Sequence, residues 1–113
     1  MINKERIAPR LWGSGCFSWD LVDRADMLVV QEVMPPGATE VRHFHSRARQ
    51  FFFVLSGELS IEVEGKRTTL STHDGMEIAP GRAHRVLNKS ESEATFLAIA
   101  CPTTKGDRTQ AAG

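Results

Sequence analysis

Short runs in which apolar and polar residues alternate cover most of the chain between residues 16 and 101. The clearest run is 58–64, where Leu59, Ile61 and Val63 share one parity and charged residues occupy much of the other. Successive side chains of a β-strand point to opposite faces, so this run predicts a strand with one buried face. The Gly65-Lys66 pair that follows favours a tight hairpin into 67–70. Alternation also predicts a strand at 17–22, and the apolar runs predict strands at 27–33 and 50–55. Short segments between turn residues predict the remaining strands, at 41–45, 76–79, 83–88 and 94–101.

No window of useful length shows helical spacing together with capping residues. Short strands at spacings near ten residues are typical of an all-β sandwich or barrel. A chain of 113 residues matches the commonest size of a single domain and is long enough to bury a core. The last segment, 102–113, is polar and poor in large apolar side chains, so we expect it to be loosely held.

The charge balance argues against a nucleic-acid-binding protein. The 14 basic and 14 acidic residues cancel, whereas a nucleic-acid surface would need a basic stripe.

The longest apolar runs, such as 51–55, are too short to span a bilayer, so we expect no membrane partner. The first residues do not resemble a secretory signal, and a cytoplasmic location is the expectation. We expect Cys16 and Cys101 to be buried or half-buried thiols in a reducing compartment.

Candidate chemistry is concentrated at two places in the chain. His43 and His45 are two residues apart, so a strand would present both imidazoles on one face. Gln50 begins the next predicted strand, and His84 begins a later one. Imidazole nitrogens and an amide oxygen brought together by paired strands predict a site for one divalent metal ion. The alternative is that these are ordinary polar residues on solvated strand faces.

With these residues in place, the chain resembles a small single-domain cupin over about residues 27–100. The first cupin motif, Gly-x5-His-x-His-x3,4-Glu-x6-Gly, is matched by Gly37, His43, His45 and Gly57, and Gln50 stands where glutamate is usual. The second motif, Gly-x5-Pro-x-Gly-x2-His-x3-Asn, is matched at Gly81, His84 and Asn88, with His73 and Ala79 at its first two positions. The resemblance implies a double-stranded β-helix, also called a jelly-roll barrel.

The resemblance also implies that the metal ligands are His43, His45, Gln50 and His84. Such a ligand set accepts iron, manganese, zinc, nickel or copper. A glutamine brings no charge where a glutamate would bring one, so the ion would keep its full charge. This favours an electrophilic centre that binds an anionic or enolisable substrate oxygen. Asn88 is expected in the barrel wall, where its amide would join strands.

These features predict a metal-dependent enzyme with a small, anionic or carbonyl-bearing organic substrate, acting as an oxygenase or as an isomerase or lyase. The nearest predicted proton carriers are Gln31, Glu40 and Glu77, and the chain has no tyrosine. Because acid–base residues look scarce, the alternative is a cupin that binds a small ligand or sugar without catalysis. A third hypothesis is a purely structural barrel. A homodimer is expected, since a small barrel with aromatic residues on both sheet faces has apolar area to cover.

Overall fold

The structure, a computed structural model, describes residues 1–112. A short 3-10 helix, Lys4–Arg6, precedes the strands. In chain order the strands are β1 (Arg10–Trp12), β2 (Cys16–Asp23), β3 (Leu28–Met34), β4 (His43–Phe44), β5 (Arg49–Ser56), β6 (Leu59–Val63), β7 (Lys66–Leu70), β8 (Gly75–Ile78), β9 (His84–Leu87), β10 (Ala94–Cys101) and β11 (Thr109–Gln110).

The strands form two antiparallel sheets, which confirms the predicted all-β class. One sheet has six strands in the order β1-β2-β3-β10-β5-β8, and the other has five in the order β11-β4-β9-β6-β7. Sequence neighbours such as β3 and β4 lie in different sheets, as a double-stranded β-helix requires. Among residues 1–112 no helix is long and apolar enough to cross a membrane.

Alternation along the central strands decides which side chains fill the interior. Met34 on β3 pairs with Ala94 on β10, and both are fully buried at one end of the barrel. At the other end of the same pair of strands, Leu28 lies opposite Ala100. A large apolar cluster that includes Phe96 fills the first end. The second end holds a smaller apolar cluster and the buried histidines described below.

Strand parity also decides which of the two cysteines is buried. Cys16 is buried, as expected, but Cys101 is exposed, and neither forms a disulfide. The expectation for Cys101 is therefore wrong. Inner positions of β10 are Ala94, Phe96 and Ala100, so Cys101 has the opposite parity and points outward.

Asn88 joins strands in the barrel wall, as the sequence predicted. Its Nδ2 donates to the carbonyl oxygen of Met34 at 2.9 Å and to that of Ser92 at 2.8 Å. Its Oδ1 accepts hydrogen bonds from both the backbone and the hydroxyl of Ser90. The side chain is 1% exposed and fully hydrogen-bonded, so it stabilises the end of the barrel that is filled with apolar side chains.

The three motif glycines lie in turns and have positive φ angles. Gly37, Gly57 and Gly81 have φ of 82°, 80° and 80°. The hairpin between β6 and β7 turns at Glu64 and Gly65, one residue earlier than predicted, with φ of 49° and 83°. Two consecutive positive φ values are those of a type I′ turn, whose twist matches that of the strands.

Replacing Gly57 by alanine is expected to lower the free energy of unfolding by about 2–4 kcal/mol. The added Cβ would lie 2.4 Å from the carbonyl oxygen of Glu93, in a backbone conformation of φ +80°. Gly65→Ala is the matched control, because φ there is +83° but nothing lies within 4 Å. We expect the control to lose only about 1–2 kcal/mol in urea unfolding. Equal losses in the two variants would contradict the steric account.

The segment from 102 to 112 lies against the barrel. Its strand β11 pairs with β4, placing Gln110 opposite His43. Asp107 in the same segment is 8% exposed. The sequence predicted a loosely held segment because its composition is polar. The segment is held by backbone hydrogen bonds, by the Asp107 carboxylate, and by ion pairs from Lys105 to Asp20 and Asp23 and from Arg108 to Glu40, none of which composition reveals. Gly113, also part of the predicted loose segment, lies outside the described residues.

Candidate metal centre

The three histidines singled out from the sequence meet inside the barrel. His43 on β4 is the direct antiparallel partner of His84 on β9, and His45 follows β4 on the same face. Their exposed fractions are 2%, 1% and 5%, respectively. One ring nitrogen from each can be chosen so that the three atoms lie within 4.8 Å of one another. This spacing is suited to a single metal ion.

The backbone fixes the tautomer of each imidazole. In all three rings Nδ1 lies within hydrogen-bond distance of a carbonyl oxygen, which can only accept. Nδ1 is therefore the protonated nitrogen, and each Nε2 carries the lone pair that a metal needs. Measured from His43, His45 and His84 in that order, the carbonyl oxygens are those of Val41 at 2.8 Å, Asp107 at 2.6 Å and Arg82 at 2.9 Å.

Burial keeps the imidazoles neutral. It lowers the pKa of His43 to about 3 and also lowers the pKa values of His45 and His84. Water solvates a charged imidazolium better than the barrel interior does, so the uncharged ring is favoured. Neutral imidazole is the form that binds metals, and these rings are ready to do so without losing a proton first.

Two buried polar atoms at the centre have no hydrogen-bond partner within residues 1–112. They are Nε2 of His84 and Oε1 of Gln50. Gln50 is 8% exposed and lines the same cavity as His43 and His45. A buried acceptor without a donor is costly, and a cation would satisfy both atoms. The donor set of three nitrogens and one amide oxygen therefore fits a divalent ion.

Asp107 holds the C-terminal segment against the metal centre. Its two carboxylate oxygens accept hydrogen bonds from the backbone N–H groups of Ser46, Arg47 and Ala48 at 2.9, 2.9 and 3.0 Å. These bonds lower the pKa of the Asp107 carboxyl. Its own carbonyl oxygen accepts from His45, so a single residue fixes both the loop after β4 and the orientation of one imidazole.

A cavity of about 130 Å³ lies beside His43 and His45. Apolar residues of β3, β5 and β10, including Phe52, form part of its wall. A second cavity of about 330 Å³ adjoins it. Four charged residues line both cavities and so lie between them: Arg10, Glu32, Glu40 and Arg108.

The two glutamates at this boundary are held differently. Glu40 accepts a hydrogen bond from the backbone N–H of Val86 at 3.1 Å, and its other oxygen lies 3.6 Å from the guanidinium of Arg108. Glu32 accepts a hydrogen bond from the hydroxyl of Ser18 at 2.8 Å. Burial raises the pKa of Glu32 to about 7, and burial together with the charge of Glu32 raises the pKa of Glu40 to about 8.

Of the three predicted proton carriers, only Glu40 reaches the cavity. Glu77 is exposed on β8 and pairs with Arg49 at 3.3 Å, and Gln31 has the outward parity of β3. Sequence reasoning missed Glu32. The signal was available, because Glu32 shares the parity of Leu28 and Met34 along β3. Asp107 and Arg108 carried no comparable signal.

The chain is similar to known proteins in both sequence and structure. The family model for the cupin domain matches residues 30–100. Over 65 residues the chain is 29% identical to the polyketide synthase CurC of Streptomyces cyaneus, a match that covers 58% of this chain and 42% of that protein. The chain thus spans less than half the length of this curated relative.

Solved structures share the fold at low sequence identity. A predicted oxalate decarboxylase from Thermotoga maritima superposes with a TM-score of 0.84 at 18% identity, covering 91% of this chain and 99% of that one. The polyketide cyclase RemF from Streptomyces resistomycificus gives a TM-score of 0.80 at 14% identity, covering 91% and 79%. These likenesses show the fold alone.

Fold and site together define a small β-barrel with a histidine cluster suited to a metal ion inside it. The family match covers more than half of the chain, and the chain belongs to the cupin family. The resemblance noted from the two sequence motifs is confirmed.

Proposed function

We propose that this cupin is a metal-dependent enzyme acting on a small, anionic or carbonyl-bearing organic substrate. The proposed ligands are His43, His45, His84 and Gln50. The observation that carries the proposal is the set of lone pairs directed by the fold: the protonated Nδ1 atoms are all bonded to carbonyl oxygens. In addition, the buried Oε1 of Gln50 and Nε2 of His84 make no hydrogen bond with residues 1–112.

A bound divalent ion would supply Lewis-acid polarisation of a substrate oxygen. The other contributions come from the chain itself. Leu28, Val30, Phe52 and neighbouring alanines form the apolar part of the cavity wall, and polar groups form the rest. Arg10 and Arg108 at the boundary of the two cavities attract a negatively charged substrate group. A small organic acid or carbonyl compound matches this combination of charge and size.

An isomerase or lyase is favoured over an oxygenase. The reason is that two carboxyl groups, Glu32 and Glu40, line the cavity together with His43 and His45. Acid–base residues are therefore present in the interior, and the argument for a ligand-binding module without catalysis loses its main support.

The test begins with elemental analysis of protein purified without a nickel resin. We expect close to one divalent ion per chain, and turnover that is lost on chelation and restored by the same ion. Small 2-oxo acids and diketones would be screened with and without oxygen. Full activity in metal-free protein would contradict the proposal. So would metal-loaded protein that binds such compounds tightly and leaves every one unchanged.

A homodimer remains part of the proposal. Phe51 is 40% exposed on the outer face of the six-stranded sheet, next to Ile99 and Cys101 along a surface cavity of about 520 Å³. An exposed aromatic beside further apolar groups favours a covered surface. Light scattering that gives the mass of one chain at micromolar concentration would contradict this expectation. The cytoplasmic location stays a prediction from the sequence.

A further inference from the structure

Glu32 is the one acidic residue among the inward-facing positions of β3. Its neighbours on that face, Leu28, Val30 and Met34, are all buried and apolar. Within residues 1–112, no lysine, arginine or histidine nitrogen lies within 4 Å of its carboxylate, whereas Glu40 has Arg108. Arg10 and Arg108 line the same cavity but make no direct ion pair with Glu32. A carboxyl group inside a barrel without a direct ion pair is costly to keep charged, and such positions are common at functional sites.

The hydrogen bonds of Glu32 hold it in place and leave one oxygen available. Oε1 accepts from the hydroxyl of Ser18, which is itself 1% exposed on β2. Oε2 makes no hydrogen bond with residues 1–112. Glu40, in contrast, is engaged through both oxygens, by the backbone of β9 and by Arg108. Of the two carboxyl groups, Glu32 is therefore the one that can receive a substrate atom.

Glu32 lines the same 130 Å³ cavity as His43, His45 and Gln50. Because these groups line one cavity, a small organic molecule bound in it can contact the histidines and the Glu32 carboxyl together. Burial that holds the Glu32 pKa near 7 also suits the task, because a general base works best when its pKa is close to the working pH.

We propose that Glu32 is the catalytic residue that moves a proton on the substrate, and that the substrate is an enolisable carbonyl compound. This inference rests on the proposed function, in which His43, His45, His84 and Gln50 would hold a divalent ion that polarises the carbonyl group. The Glu32 carboxylate takes a hydrogen from the carbon next to the carbonyl group. The C–H electron pair forms the carbon–carbon double bond of an enolate, and the carbonyl π pair moves onto oxygen. The carboxylic acid then returns the proton to the same carbon, or to another one in an isomerisation, so no oxidant or reductant is needed.

Hydrogen exchange into probe molecules tests the proposal directly. Pyruvate, 2-oxobutyrate and 4-oxopentanoate would be incubated in D2O with metal-loaded protein, and loss of the C–H signals next to the carbonyl followed by proton NMR. We expect the wild-type chain to accelerate exchange into at least one probe. Glu32→Gln keeps the side-chain volume and the Ser18 hydrogen bond but cannot take a proton. We expect it to slow exchange at least 100-fold, within the usual range for loss of a general base.

Two further measurements separate catalysis from structure. Metal content and the Kd of the same probe, measured by titration calorimetry, should be unchanged in Glu32→Gln. Glu77→Gln removes an exposed carboxylate on the outside of the barrel and serves as the matched control, with wild-type exchange. If Glu32→Gln does not fold, Glu32→Asp, which places the carboxylate one methylene further back, should still give slower exchange than wild type.

The outcomes separate the two proposals. Wild-type exchange in Glu32→Gln, or in Glu32→Asp if that is the variant used, overturns the role of Glu32 and leaves the metal-dependent enzyme standing. Absence of exchange into all three probes by metal-loaded wild type overturns the substrate class in the same way. Wild-type protein that takes up no divalent ion, or that exchanges equally well without one, overturns the proposed function itself.

Discussion

Replacing His84 by alanine is expected to abolish stoichiometric metal binding and, with it, turnover. His84 contributes the Nε2 atom that is buried without a partner, and its ring centroid lies 4.5 Å from that of His43 and 5.5 Å from that of His45. Losing a hydrogen-bond partner of a metal ligand costs roughly 10- to 100-fold in affinity, and losing the ligand itself should cost more. Elemental analysis after dialysis and a chelator competition give the stoichiometry and the Kd.

The fourth histidine of the chain offers a matched control for this experiment. His73 is exposed in the turn before β8, with φ of 72°, and stacks on Phe53 outside the metal centre. His73→Asn removes an imidazole while keeping a residue type that tolerates positive φ. We expect this variant to bind metal as the wild type does. One ion per chain retained in His84→Ala would rule out the proposed ligand set.

Replacing Asp107 by alanine is expected to weaken metal binding roughly 10- to 100-fold without removing any ligand. The variant loses the carboxylate that accepts three backbone hydrogen bonds from Ser46, Arg47 and Ala48. Residue 107 is then free to move, and its carbonyl oxygen no longer fixes the His45 ring. Asp107 is thus a positioning residue. Its effect should appear in the metal Kd and should be partly rescued by Asp107→Asn, which keeps one acceptor oxygen.

Asp74 provides the comparison for Asp107. Its carboxylate also accepts a backbone hydrogen bond, from Ser71 at 2.9 Å, but in a turn away from the metal centre. Asp74→Ala should lower the thermal midpoint and leave the metal Kd unchanged. If the two alanine variants lower the thermal midpoint equally and leave the metal Kd at the wild-type value, Asp107 has a structural role only.

The strands could be predicted because their alternation is a local property of the sequence. The run 94–101 coincides with β10, and 58–64 contains β6 with Leu59 and Ile61 buried as expected. β1 and β11 were missed because they are edge strands of three and two residues, too short to show alternation. Their positions depend on neighbouring strands and not on their own residues.

The parity of residues along the strands also explains which residues of the candidate metal centre could be predicted from the sequence. Two-residue spacing places His43 and His45 on one face, and the pairing of β4 with β9 then brings His84 next to them. The same reasoning could have placed Glu32 on the inner face of the barrel. It did not, because the run 27–33 was interpreted as an apolar strand and its residues were not divided into two faces. The contacts of Asp107 could not be predicted from local sequence patterns, because the residues it contacts lie about 60 positions earlier in the chain.

The hydrogen bond between His45 and residue 107 affects when the metal centre can be completed during synthesis on the ribosome. A ribosome releases the strands that carry all four proposed ligands well before it releases residue 107. Until then the emerging polypeptide has an imidazole at 45 whose orientation is not yet fixed, so ions should be captured weakly and exchanged freely. Tight binding of the metal ion is therefore expected only after residue 107 has been synthesised. Before that point one ion can still be replaced by another.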